Sequence, residues 1–90
     1  MRYRVPPGLA WQVVEEDELT IYLMPLPDGD PVALRGVGAL IWVAAIEGED
    51  AVATIVEATR QPREAIEATV LDYLGQLVAA GHLALVREPA

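Results

Sequence analysis

Chemistry in this 90-residue chain would have to start from one imidazole, a few threonine hydroxyls and fourteen carboxylates. There is no Cys, Ser or Lys. His82 stands between Gly81 and Leu83 and reads as a half-exposed turn residue. One His without Cys leaves zinc sites and Cys–His pairs excluded or incomplete. Thr20, Thr54, Thr59 and Thr69 are the hydroxyl residues, and none lies in a nucleophile-elbow pattern. Paired carboxylates could serve as acid and base. Here they cluster as Glu15-Glu16-Asp17-Glu18 and Glu47-Gly48-Glu49-Asp50, which read as solvated turns. Gly36-x-Gly38 lacks the third glycine and the long preceding strand of a phosphate-binding loop, so it reads as the way into a helix. The inventory points to a protein that is not an enzyme and needs no cofactor and no metal.

The elements around these residues are better defined. Leu9, Trp11 and Val13 alternate with Ala10, Gln12 and Val14, which predicts a strand with one buried face. Leu19, Ile21 and Leu23 alternate in the same way, and the acidic turn between the two strands makes an antiparallel hairpin. Pro25-Leu26-Pro27-Asp28-Gly29-Asp30-Pro31 is dense in turn formers. Val32-Ala33-Leu34 then forms a short third strand, suited to a sheet edge. A first helix is predicted over about Val37 to Glu47. Gly48 suits the left-handed position that ends it. Asp50 caps a second helix over about Ala51 to Arg60. Pro62 and Glu64 suit the first turn of a third, which runs to about Ala80. Its stripe is Ile66, Val70, Tyr73, Leu74, Leu77 and Val78, ended by Gly81. His82 to Val86 reads as a short wing strand.

One domain is expected over residues 9–86, with an extended or frayed lead-in at 1–8 and a frayed end at 87–90. The fold class is α+β: a three-stranded antiparallel sheet on a three-helix bundle that resembles a winged helix-turn-helix. The longest uncharged apolar run, Gly36 to Ile46, is about half of a membrane span. The start of the chain is too short and too polar for a secretory signal. A soluble, cytoplasmic protein with no membrane partner is expected.

Net charge is −8, and all six basic residues are Arg. An acidic surface repels phosphate backbones and attracts basic partners. It also keeps a small hydrophobic domain in solution, and both readings stay open. The third helix offers Arg63 and Gln76 against Glu64, Glu67 and Asp72, the wrong sign for a DNA recognition helix. DNA binding is the rival reading; no nucleic-acid partner is expected. Peptide docking uses what is present. The outer N–H and C=O groups of Val32 to Leu34 would be unpaired at an edge, and an extended segment can add there as a strand. The third helix would form the facing wall. Leu71 and Val78 extend its apolar arc, as groove or as core, and Glu67 and Asp72 flank it.

The segment Val32-Ala33-Leu34-Arg35-Gly36-Val37-Gly38-Ala39-Leu40-Ile41-Trp42 and the block Val70-Leu71-Asp72-Tyr73-Leu74-Gly75-Gln76-Leu77-Val78-Ala79-Ala80-Gly81-His82-Leu83, in this order, resemble PqqD-like proteins. These are the recognition elements of ribosomally made peptide pathways. The resemblance runs from about Leu9 to Val86. It implies a non-catalytic protein that captures the leader of a precursor peptide as a strand beside the third strand, in a groove toward the third helix. Carried over, the backbone contacts fall on Val32, Ala33 and Leu34, and the wall on Glu67, Val70, Leu71, Asp72 and Leu74. An acidic, Arg-only chain of this length is similar to the separate recognition proteins of lasso-peptide clusters. There the leader carries a Tyr-x-x-Pro signature. The implied partners are the precursor (leader) peptide, a transglutaminase-like leader peptidase and an ATP-dependent lasso cyclase. The family alternative is a peptide chaperone for a radical SAM enzyme. The chain departs from the family at Gly36-Val37-Gly38, where Ser or Asn is frequent.

Overall fold

The computed structural model describes residues 2–15 and 17–86. Along the chain lie β1 (Arg2–Arg4), β2 (Leu9–Glu15), β3 (Leu19–Pro25), β4 (Val32–Arg35), α1 (Val37–Ile46), α2 (Ala51–Thr59), α3 (Arg63–Ala79) and β5 (Ala84–Val86). β2, β3 and β4 form an antiparallel sheet in that order, and β1 pairs with β5 in a second, two-stranded one. The α+β expectation, three helices with a three-stranded antiparallel sheet, holds.

α1 is the hub, because it is apolar on every side and can be covered on every side. The sheet, β1, α2 and α3 all pack on it. Ala39, Ile41, Trp42, Ala44 and Ala45 are its buried residues. Trp42 is fully buried, and its indole N–H donates to the His82 carbonyl at 2.9 Å. The single histidine thus serves through its backbone, tying the end of α3 to the middle of α1. β4 turns into α1 at Gly36, where φ is 59° and ψ −123°, a conformation that side chains resist. The Leu40 N–H donates to the Gly36 carbonyl at 3.0 Å and opens the helix.

The other helix ends follow from local chemistry. The Asp50 carboxylate accepts from the Ala53 N–H at 3.1 Å, the cap expected of it. At the end of α3 the His82 N–H returns to Leu77 C=O at 2.8 Å and the Gly81 N–H to Val78 C=O at 3.1 Å. That double return needs a left-handed residue, and Gly81 has φ 82°.

Two expectations change. Arg2–Arg4 does not trail as a lead-in but pairs with Ala84–Val86, in the register Arg2↔Val86 and Arg4↔Ala84. β2 was expected to bury one whole face. Only Leu9 is buried, while Trp11 and Val13 are 46% and 43% exposed, because this edge strand stands beyond the cover of the helices. The expected fraying of Arg87 to Ala90 lies outside the described residues. Among the described residues, no helix is long and apolar enough to cross a membrane.

Candidate functional site

Two hydrogen bonds decide which backbone groups of the sheet are open. The Gly36 N–H donates to Leu19 C=O at 2.9 Å, and the Leu26 N–H donates to Gly8 C=O at 2.6 Å. Directly opposed residues in an antiparallel ladder alternate between bonded and non-bonded pairs. The register runs from Thr20↔Arg35 to Leu23↔Val32 on one side of β3. Alternation from the Gly36–Leu19 pair makes Leu34–Ile21 and Val32–Leu23 the bonded pairs. On the other side, alternation from Leu26–Gly8 makes Ala10–Met24, Gln12–Tyr22 and Val14–Thr20 the bonded pairs. The two results use alternate residues of β3, as a central strand requires. The N–H and C=O groups of Ala33 and Arg35 therefore point out of the sheet at one edge, and those of Trp11 and Val13 at the other.

The β4 edge faces a built surface. Leu34 is buried and Val32 half-buried, so both anchor the strand on the core. Both β4 and α3 pack on α1. Tyr73 of α3 reaches the first turn of α1, where a Cβ on residue 38 would collide with the Tyr73 hydroxyl. Gly38 is what allows that approach, and it lies three residues past Arg35. The first turn of α1, with Val37 exposed, links the end of β4 to the Tyr73 side of α3. The helical repeat puts Thr69 and Gln76, both exposed, on that same side. Burial pushes the Tyr73 phenol above its ordinary value. Among the described residues no buried side-chain polar atom lacks a partner, so the Tyr73 hydroxyl, for which no protein partner is seen, is not fully closed off from solvent.

The opposite side of α3 looks elsewhere. Leu71, 54% exposed, lines a cleft of about 410 Å³ together with Arg2, Tyr3, Gly48, Asp50 and Leu74. Glu67 accepts from Arg63 at 2.8 Å, and Arg63 also reaches Asp50 at 3.5 Å. This face is turned to β1 and the α1–α2 junction.

The PqqD family, described as coenzyme PQQ synthesis protein D, matches residues 20–83. The chain belongs to that family. The matched span takes in β4, α1 and α3, hence both sides of the space just described. Among solved structures, TbiB1 in complex with the TbiA(beta) leader peptide has the same fold. Its TM-score is 0.75 at 22% identity, over 94% of this chain and 99% of that one. No curated protein matches the sequence.

Within this PqqD fold the residues expected to bind peptide separate into three groups. Val32, Ala33 and Leu34 lie together on β4. Val70 and Leu74, expected on a groove wall, are 2% and 4% exposed and belong to the core stripe with Ile66 and Leu77. Their spacing is the stripe's own, and a stripe that packs inward leaves little to touch outside. Glu67 and Leu71 are exposed on the far side of α3, while Asp72 accepts a hydrogen bond from Gln76 at 2.8 Å. Sequence reasoning passed over Arg35, Thr69, Tyr73 and Gln76. A signal for Tyr73 was present: a phenol within an aliphatic stripe must bring its hydroxyl out to water or to a partner. The Asp50 carboxyl is held below its ordinary value by the Ala53 N–H and by Arg63.

Proposed function

We propose that this chain is a non-catalytic recognition protein, which holds the leader of a ribosomally made precursor peptide as an added strand on β4 and presents it to a maturation enzyme. One observation carries the reading: β4 is an edge of the β2–β3–β4 sheet, and its register turns the N–H and C=O groups of Ala33 and Arg35 outward. Main-chain pairing gives affinity with little sequence preference, and a wall on one side lets alternate side chains be read. Ala33 and Arg35 supply the backbone contacts, with Val32 and Leu34 anchoring the strand from beneath. Thr69, Tyr73 and Gln76 take the wall expected of Glu67, Val70, Leu71 and Leu74. Asp72, bound to Gln76, is the acidic group at its rim. A net charge of −8 suits a leader that carries Lys.

TbiB1, a protein of this fold, is known in complex with a leader peptide, and that supports leader capture here; the resemblance to lasso-cluster recognition proteins points to a lasso-type pathway. The maturation enzyme is then a transglutaminase-like leader peptidase, with an ATP-dependent cyclase acting after it. The family's description as a coenzyme PQQ synthesis protein favours one other client, a radical SAM enzyme of quinone-cofactor synthesis. Adding the protein to each purified enzyme with the precursor separates them, since only the true client is stimulated.

Calorimetric titration with the leader half of the precursor encoded beside the gene tests the binding reading. The leader half binds, while the core half and a DNA duplex do not. A leader half that binds no more tightly than the core half would overturn it.

A further inference from the structure

We propose that the β2 edge is a second docking surface, which takes a basic extended segment of another protein as an added strand while β4 remains open. β2 spans seven residues, where β4 spans four. The Leu9 N–H is used by Pro6 C=O at 3.2 Å, so the open run begins at Trp11 and continues through Val13. Leu9–Glu15 holds no Pro, Gly or Lys, and its one charged residue, Glu15, stands at its end. Sheet edges left long and unblunted recruit strands.

Both faces beside the edge are apolar. On the helix side Trp11 and Val13 stand 46% and 43% exposed, and the Trp11 ring leans on Trp42 with centroids 5.2 Å apart. On the outer side Tyr22 and Met24 are 46% and 43% exposed and line, with Ala10, Gln12 and Pro31, a hollow of about 310 Å³. An added strand would lie beside Trp11 and Val13 on one face and beside Ala10 and Gln12 on the other, with the Tyr22–Met24 patch one strand further in.

Charge selects the occupant. Glu15, Asp17 and Glu18 lie at one end of the edge, offset in part by Arg35, which shares a polar hollow with Asp17 and Glu18. Leu9 at the other end pairs with Pro25, where the loop holding Asp28 and Asp30 begins. Two copies paired two-fold along this edge would set acidic end against acidic end, at −8 on each chain. A basic segment meets attraction at both ends. The proposal rests on β2 alone and does not require a leader on β4.

The test is an NMR titration of the labelled full chain with an alternating lysine–valine heptapeptide, and with its glutamate–valine counterpart. The lysine peptide should shift the Trp11 and Val13 amides and the Trp11 indole, and the glutamate peptide should not. Val13→Pro removes an outward N–H that the β2–β3 ladder does not use, and should weaken binding at least tenfold. Glu15→Lys, at an exposed end of the strand, should weaken it severalfold, most at low salt. Lysine-peptide shifts confined to Ala33 and Arg35 would overturn the proposal. So would the absence of shifts at millimolar peptide, or a concentration-dependent dimer in sedimentation that Val13→Pro abolishes.

Discussion

The two edges of the β2–β3–β4 sheet carry the same backbone chemistry in different settings. Each turns alternate N–H and C=O groups outward. β4 is short, anchored by Leu34, and overlooked by Tyr73 across the first turn of α1. β2 is longer, stands beyond the helices and is bordered by charge. An edge gains sequence selectivity when a second element overlooks it; without one it offers strand pairing, apolar contact and a field. On the proposed reading, the contrast gives leader reading to β4 and a less selective contact to β2.

Six substitutions, in four tests, would break or sharpen this comparison. The largest effect is on the support beneath the β4 side. Leu74→Ala should cost about 2–5 kcal/mol of stability in a denaturant titration, as buried leucines do. The affinity of the folded fraction for leader should hold, because Leu74 lines the core and not the wall. A stable variant with weak binding would return Leu74 to the groove.

Next comes the phase of β4. Ala33→Pro removes an N–H that points out of the sheet, so the fold should survive while leader affinity falls at least tenfold, or about 1.4 kcal/mol. Leu34→Pro removes an N–H paired to β3 and should instead lower the melting temperature. Reversal of the two outcomes would shift the alternation by one residue.

Asp50→Ala should cost about 1 kcal/mol of stability by removing the α2 cap, and leave leader affinity alone. The folded Asp50 carboxyl titrates below its ordinary 3.8, held there by the Ala53 N–H and Arg63. Its contribution is therefore present above that value and is lost as pH falls through the lower, folded value. Melting curves of the wild type and the variant should converge only in that acid range.

The smallest effect separates the two sides of α3. Thr69→Arg should weaken leader binding about threefold, or about 0.6 kcal/mol, by crowding the proposed wall and adding a positive charge there. Leu71→Arg, on the side facing β1, should leave it unchanged in the same calorimetric titration.

Much of this was legible in the sequence. The alternation of Leu19, Ile21 and Leu23 located β3, Asp50 marked the start of α2, and Gly81 marked the end of α3. The core stripe of α3 was equally plain. Val70 and Leu74 belong to that stripe and are nearly closed off by it, although Leu74 still touches the cleft beside Leu71. Two features had no local signal. Arg2-Tyr3-Arg4 is short and polar, and its partner Ala84–Val86 lies at the far end of the described chain. The direction of the β4 N–H groups depends on register, which a four-residue strand does not encode by itself; the Gly36–Leu19 hydrogen bond fixes it.

The most direct test of the central claim is an amide-shift titration of the labelled protein with the leader half of its precursor. The account predicts the largest shifts at Ala33 and Arg35, together with Thr69, Tyr73 and Gln76. Shifts centred on Glu67 and Leu71, or on Trp11 and Val13 with β4 unmoved, would contradict it.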